Sequence, residues 1–223
     1  MAVGIRTDEQ IQTDVLEELQ WDTRMQPNEI VVAVKDGIVT LTGWVDSYQK
    51  KIAAEEAAHR VRGVKAVVND IEVRLPGSAE RTDADLVAAV LNALKWDAAI
   101  PAGEVDVTVS QGWVRLKGEV DHGFQKRDAL RTICRLSGVK GITNLITVKP
   151  QPTPQDLKSQ IERALLRNAQ TDAKYITVEV QGSEVILRGA VSSYAEKKAA
   201  EETAYSASGV TEVDNRIIVS LPV

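Results

Sequence analysis

The sequence predicts an α+β protein of three tandem α-β-β-α-β units, each a three-stranded mixed sheet with two helices on one face. Three observations predict it. A short strand ending around a glycine is written three times: "VTLTGWV" at 39–45, "VRLKGEV" at 114–120 and "VILRGAV" at 185–191. Superposing Gly43 on Gly118 and Gly189 brings Gly63 onto Gly138 and Gly209, and Asn69 onto Asn144 and Asn215, with constant offsets of 75 and 71 residues. The apolar period then switches between helix and strand values in the same order in every copy. The units are read as residues 7–75, 82–149 and 153–221.

Each unit opens with an amphipathic helix. Ile11, Val15 and Leu19 share a face, as do Leu86, Val90 and Leu94, and Leu157, Ile161 and Leu165. Thr7 and Asp8, Thr82 and Asp83, and Thr153 are expected to cap these helices. Trp21 and Trp96 follow, expected to close the helix against the sheet. The first strand alternates through Ile30, Val32 and Val34, through Val105, Val107 and Val109, and through Ile176, Val178 and Val180. Asp36-Gly37 and Gln111-Gly112 supply a hairpin turn, and in the third unit the Gly182-Ser183 pair is placed one position earlier. The second strand buries Val39 and Leu41, Val114 and Leu116, Val185 and Leu187. Its outward residues are Thr40 and Thr42, Arg115 and Lys117, Ile186 and Arg188.

An alanine-rich second helix follows, with Ala54, Ala58 and Val61 on one face, then Ala129, Ile133 and Leu136, then Ala200, Ala204 and Ala207. Small side chains let it approach the sheet. Gly63, Gly138 and Gly209 are expected to end it as left-handed caps. A last strand covers 67–73, 142–148 and 213–219. Asn69, Asn144 and Asn215 on it are read as structural, each pinning the loop that leaves the second helix, with ligand binding as the alternative. Linkers are "PGSAER" at 76–81 and the extended "KPQPTP" at 149–154. Units this small bury little surface alone and are expected to pack on one another.

The hairpin "DGIVTLTGWVDS" at 36–47, the helix "KKIAAEEAAHRVRGV" at 50–64 and the strand "VVNDIEV" at 67–73 resemble the BON domain, the bacterial osmotic-shock and nodulation module. "QGWVRLKGEVDH" with "GVKGITNLITV", and "VILRGAVSS" with "EKKAAEETA" and "GVTEVDNRIIV", repeat the likeness. The resemblance implies a non-enzymatic protein that binds phospholipid surfaces, maintains the envelope and protects against osmotic stress. It also implies a periplasmic or outer-membrane address. Against that address, "MAVGIRTDEQ" carries no apolar run of signal-peptide length, so a cytoplasmic location is expected, with a periplasmic or membrane-associated one if a leader was removed. No run of about 18 apolar residues predicts a membrane span.

No catalytic pattern is legible. There are two histidines, His59 and His122, and one cysteine, Cys134. No H-E-x-x-H, CxxC or phosphate loop occurs. His59 and Cys134 are read as solvated surface residues, and Glu55-Glu56 and Glu201-Glu202 as solvated charge. "GVKG" at 138–141 matches the G-x-x-G of KH domains, but it precedes a strand instead of joining two helices. With a net charge of −5, no nucleic-acid partner is expected, and neither is a cofactor or metal.

Charge is unevenly spread. Residues 7–75 hold 8 basic against 13 acidic groups, 82–150 hold 9 against 8, and 153–223 hold 8 against 10. The middle unit mixes Trp113, Arg115, Lys117 and Phe124 with Lys126, Arg127, Arg131 and Arg135. These eight residues are the candidates for contact with an anionic phospholipid or another envelope component. Two alternatives stand beside that reading: the arginines pair with acidic residues of the neighbouring units, or the chain is a soluble interaction scaffold that self-associates or binds a protein.

Overall fold

The computed structural model describes residues 6–25, 29–100, 103–150, 156–168 and 175–220. Unit 1 comprises α1 (Asp8–Trp21), β1 (Ile30–Lys35), β2 (Ile38–Val45), α2 (Tyr48–Arg60) and β3 (Ala66–Val73). Unit 2 comprises α3 (Asp83–Trp96), β4 (Val105–Ser110), β5 (Trp113–Val120), α4 (Gly123–Ile133) and β6 (Gly141–Val148). Unit 3 comprises α5 (Leu157–Arg167), β7 (Ile176–Gln181), β8 (Glu184–Val191), α6 (Tyr194–Tyr205) and β9 (Glu212–Val219). Each sheet runs in sequence order, with the first pair antiparallel and the second parallel, because a helix crosses over between its strands. The helices of each unit cover one face of its sheet, and three separate cores result. The first-helix trios read from the sequence are all buried, whereas Val61, Leu136 and Ala207, read as part of the second-helix faces, lie just past the ends of α2, α4 and α6 and are only partly buried against the cores.

Gly43, Gly118 and Gly189 recur for a steric reason. Each stands opposite the first residue of the preceding strand, and each has positive φ. A Cβ at any of them would overlap the carbonyl oxygen of Glu29, Glu104 or Tyr175. Only glycine combines that backbone with that approach.

The hairpins keep one register throughout. Lys35 pairs Ile38, Ser110 pairs Trp113 and Gln181 pairs Glu184, so the third turn is not displaced. What moves is the glycine. Asp36 and Gln111 adopt positive φ before their glycines, whereas Gly182 takes the first position and Ser183 needs no such conformation.

The caps divide differently from expectation. Thr7 and Thr82 do cap, accepting the N–H of Gln10 and Asp85. Asp8 and Asp83 instead reach across to the hairpin. Asp8 accepts the N–H groups of Asp36 and Gly37 at 2.7 and 2.9 Å, and Asp83 those of Gln111 and Gly112 at 2.8 and 3.0 Å. The expected cap Thr153 lies outside the described residues, as does 151–154 of the second linker. The first linker contains a single 3-10 turn, Gly77–Ala79. Replacing Asp83 by alanine should cost about 1–2 kcal/mol, because two charge-assisted bonds to a turn disappear. Urea denaturation compared with Thr108→Ala, on the open face, checks it.

Gly63, Gly138 and Gly209 have the expected positive φ, but they do not cap their helices. α2 closes at Arg60 with an extended Val61, and the glycine belongs to the turn beyond. The asparagines pin the start of the second helix, not the loop leaving it. Their Nδ2 groups donate to the carbonyls of Lys51, Lys126 and Lys197, at 3.0, 2.9 and 3.1 Å. Their Oδ1 atoms accept the N–H two residues on. One amide thereby ties the helix's first turn to the last strand in every unit. Trp21 and Trp96 do not close their helices against the sheet either, since they are 83% and 87% exposed. Ile186, expected outward, is 5% exposed between Glu179 and Asp214.

Candidate functional site

The second helices bring the three units together. Their first residues are Tyr48, Gly123 and Tyr194, and the residues at or beside their ends are His59, Cys134 and Tyr205, 11 positions later in each copy. Each start meets the end of another unit's helix. Tyr48 packs against the core of unit 2 and shares a cleft wall with Cys134. Gly123 abuts Tyr205 of unit 3, and a Cβ there would come within 2.8 Å of the Tyr205 ring. Tyr194 stacks on His59 of unit 1, with ring centroids 3.5 Å apart. The contacts close into a cycle, from unit 1 to 2, from 2 to 3 and from 3 back to 1. Where the helix start is tyrosine its partner is compact or planar, and where it is glycine the partner is tyrosine.

Charged groups span two of these seams, unit 2 to unit 3 and unit 3 to unit 1. Arg131 bonds Glu202 at 3.3 Å, Lys198 pairs with Glu56 at 3.8 Å, and Arg127 lies over the Tyr205 ring at 5.5 Å. Glu55 and Glu201 are acceptors for Asn69 and Asn215. These four glutamates are therefore structural partners and not merely solvated charge. His59 and Cys134 are not free surface residues either; both are half-buried at the unit contacts.

Between α2, α4 and α6 remains a cavity of about 370 Å³. Its walls include Tyr48 and Ile52 of α2, Tyr194 of α6, and Arg127, Arg131 and Arg135 in or just after α4. Burial pushes the phenols of Tyr48 and Tyr194 and the Cys134 thiol up from their ordinary values. Burial also lowers His59 to about 4, helped by the charges of Lys198 and Lys197. A base depressed from 6.5 in the folded state contributes stability that is complete above pH 6.5 and is lost as pH falls toward 4. Asp22 is held at about 2 by its hydrogen bond from Arg24, so its contribution fades only below pH 3.8. The urea midpoint should therefore fall between pH 6.5 and 4 in the parent chain and change much less there in His59→Gln.

The eight candidates from the sequence are divided by the fold. Trp113, Arg115 and Lys117 share the open face of the second sheet. Trp113 donates from Nε1 to Thr143 at 2.8 Å, lies flat over Gly141 and stays 53% exposed. Leu145, also exposed, pairs with Lys117. Arg127, Arg131 and Arg135 line the inter-unit cavity instead. Phe124 stacks on His122 at 5.6 Å beside the unit 2–unit 3 seam. Lys126 is half-buried and serves Asn144 through its carbonyl. Sequence reasoning missed Tyr48, Tyr194, Tyr205 and Lys198. The signal of the three tyrosines was present as the columns 48/123/194 and 59/134/205, where side-chain size changes from copy to copy.

Among the described residues no helix is long and apolar enough to cross a membrane. The family model described as the BON domain matches residues 7–74, 82–150 and 154–220. The "Osmotically-inducible protein Y" of Escherichia coli (strain K12) is 29% identical over 129 residues, which is 56% of this chain and 64% of that protein. The "Uncharacterized protein in gshII 5'region" of Anaplasma centrale is 30% identical over 127 residues, 55% of this chain and 83% of its own length. Among solved structures, the C-terminal domain of CdsD, the structural protein of the Type III secretion system of Chlamydia trachomatis, aligns over 94% of this chain and 96% of its own. Its identity is 13% and its TM-score 0.26. A second structure of CdsD aligns over 94% and 92%, at 12% identity and a TM-score of 0.28.

Proposed function

Because this chain belongs to the BON domain family, we propose that it is a non-enzymatic binding protein that meets anionic phospholipid surfaces through the open sheet face of unit 2. The observation that carries the proposal is that face itself. No helix of its unit covers it, and it sets an exposed, flat-lying Trp113 beside Arg115, Lys117 and Leu145. The name of the Escherichia coli relative supports a role in osmotic stress. The ring lies flat on the sheet over Gly141, which suits contact at the headgroup level of a bilayer better than deep insertion. Two cations near such a surface contribute about 2 kcal/mol, so the tryptophan and several copies acting together must supply the rest.

Sedimentation with vesicles of phosphatidylglycerol and phosphatidylcholine, against phosphatidylcholine alone, tests the proposal. The parent should pellet with the anionic vesicles and Trp113→Ala/Arg115→Glu/Lys117→Glu should not, while Arg188→Glu, at the matching place in unit 3, keeps binding. Equal recovery with both vesicle types, or no loss in the triple variant, refutes it. A second reading, a self-associating scaffold, is favoured by unit 1, whose open face exposes Val31, Ile38 and Val68. A strictly monomeric mass at high protein concentration counts against that reading.

A further inference from the structure

We propose that the half-open cavity between α2, α4 and α6 is a binding site for a small organic phosphate. Its volume, about 370 Å³, lies within the usual range of small-molecule pockets. Five cationic side chains line it together with Glu55, Glu56 and Glu202, and three of the cations are committed. Arg24 bonds Asp22, Arg131 bonds Glu202, and Lys198 pairs with Glu56. Arg127 and Arg135 have no carboxylate partner among the described residues.

Arg127 carries the argument furthest. Its Nη1 is buried without a hydrogen-bond partner while its guanidinium lies over Tyr205. A native fold rarely leaves such a donor unsatisfied, and Arg127 lines the cavity. His59 Nδ1, on the same cavity, is likewise buried and unpaired.

The chemistry of the walls selects the ligand class. Guanidinium forks suit phosphate oxygens, and a phosphate monoester carries a charge of about −1.5 to −2, which two uncommitted arginines match. Tyr48, Ile52 and Tyr194 offer an aromatic and apolar surface for the body of the ester. The feature is not a by-product of repetition. The counterparts of Arg127 are Ile52 and Lys198, and those of Arg135 are Arg60 and Ser206, so the free pair occurs in unit 2 alone.

The same group could arrive on a soluble ester or on a phospholipid headgroup, and calorimetric titration separates the two. Phenyl phosphate represents the first source, dihexanoyl phosphatidic acid below its micelle concentration the second, and phenol is the neutral control. At least one phosphate probe should bind, phenol should not, and Arg127→Gln and Arg135→Gln should each weaken binding by about tenfold or more. Tighter binding of the phosphatidate assigns the site to a headgroup, and tighter binding of phenyl phosphate to a soluble ester. Arg135 is exposed, so its variant carries the test should Arg127→Gln fail to fold. No binding of either probe at about 10 mM, or equal binding in both folded variants, overturns the proposal. The variant altered at Trp113, Arg115 and Lys117 should lose vesicles yet keep the phosphate probe, which distinguishes this site from the membrane face.

Discussion

Replacing Gly43 by valine is expected to destabilise unit 1 by about 3 kcal/mol, from positive-φ strain and forced repacking together. The residue has φ +116, and a Cβ there would overlap the Glu29 carbonyl oxygen and lie 3.3 Å from the Ile30 Cα. Both obstacles are backbone, so no rotamer change relieves them. Relief requires β1 and β2 to part at their outer end, where Ile30 is buried against Ala54 and Ile71 in one core. Gly77 is the control, with no atom within 4 Å of its would-be Cβ, and Gly77→Ala should stay within about 0.5 kcal/mol of the parent. Urea denaturation gives the stabilities, and hydrogen-exchange mass spectrometry shows whether β1, β2 and β3 loosen first. A Gly43→Val chain as stable as the parent would mean that the triple recurrence of this glycine has another cause.

That glycine shows what the sequence makes legible. A steric requirement repeated in three units leaves three identical letters, and so does the asparagine column, while the alternating strands and first-helix faces leave a repeated apolar pattern. The roles behind some letters were less visible. Asp8 and Asp83 stand where caps stand, and nothing in their spacing says that their carboxylates reach a hairpin 28 residues on. The asparagines were recognisable as structural, but the end of the helix they hold was not. Trp21 and Trp96 misled because a large apolar ring after a helix is usually buried, whereas here both stand in solvent.

The inter-unit contacts were illegible for a different reason. Units in a cycle with unlike partners need complementary and not identical residues, so the columns that build the seams vary from copy to copy. A search for repetition discards that variation. The arginines of α4 illustrate the consequence. Their charge and spacing were evident, but whether they faced a bilayer, a glutamate or a cavity depended on where the neighbouring helices lay. Arg131 turned out to face Glu202, and Arg127 the ring of Tyr205.

Variation of this kind can be tested by exchanging it. Gly123→Tyr should destabilise the chain by about 3 kcal/mol, because the new ring and Tyr205 compete for one space. Tyr205→Cys should cost about 2 kcal/mol through lost packing on the unit 3 core. Together they recreate at the unit 2–unit 3 seam the tyrosine–cysteine pairing already found between Tyr48 and Cys134. The double variant should then be more stable than the sum of the single costs allows, by about 2 kcal/mol, a coupling typical of residues in direct contact. A double-mutant cycle in urea measures it, and sedimentation velocity shows whether Gly123→Tyr alone expands the molecule. The tyrosine itself is acceptable at the start of a second helix, since Tyr48 and Tyr194 occupy that place. Strictly additive costs would show that the two positions do not meet, and the cyclic order of the units, with the half-open cavity between them, would fall too.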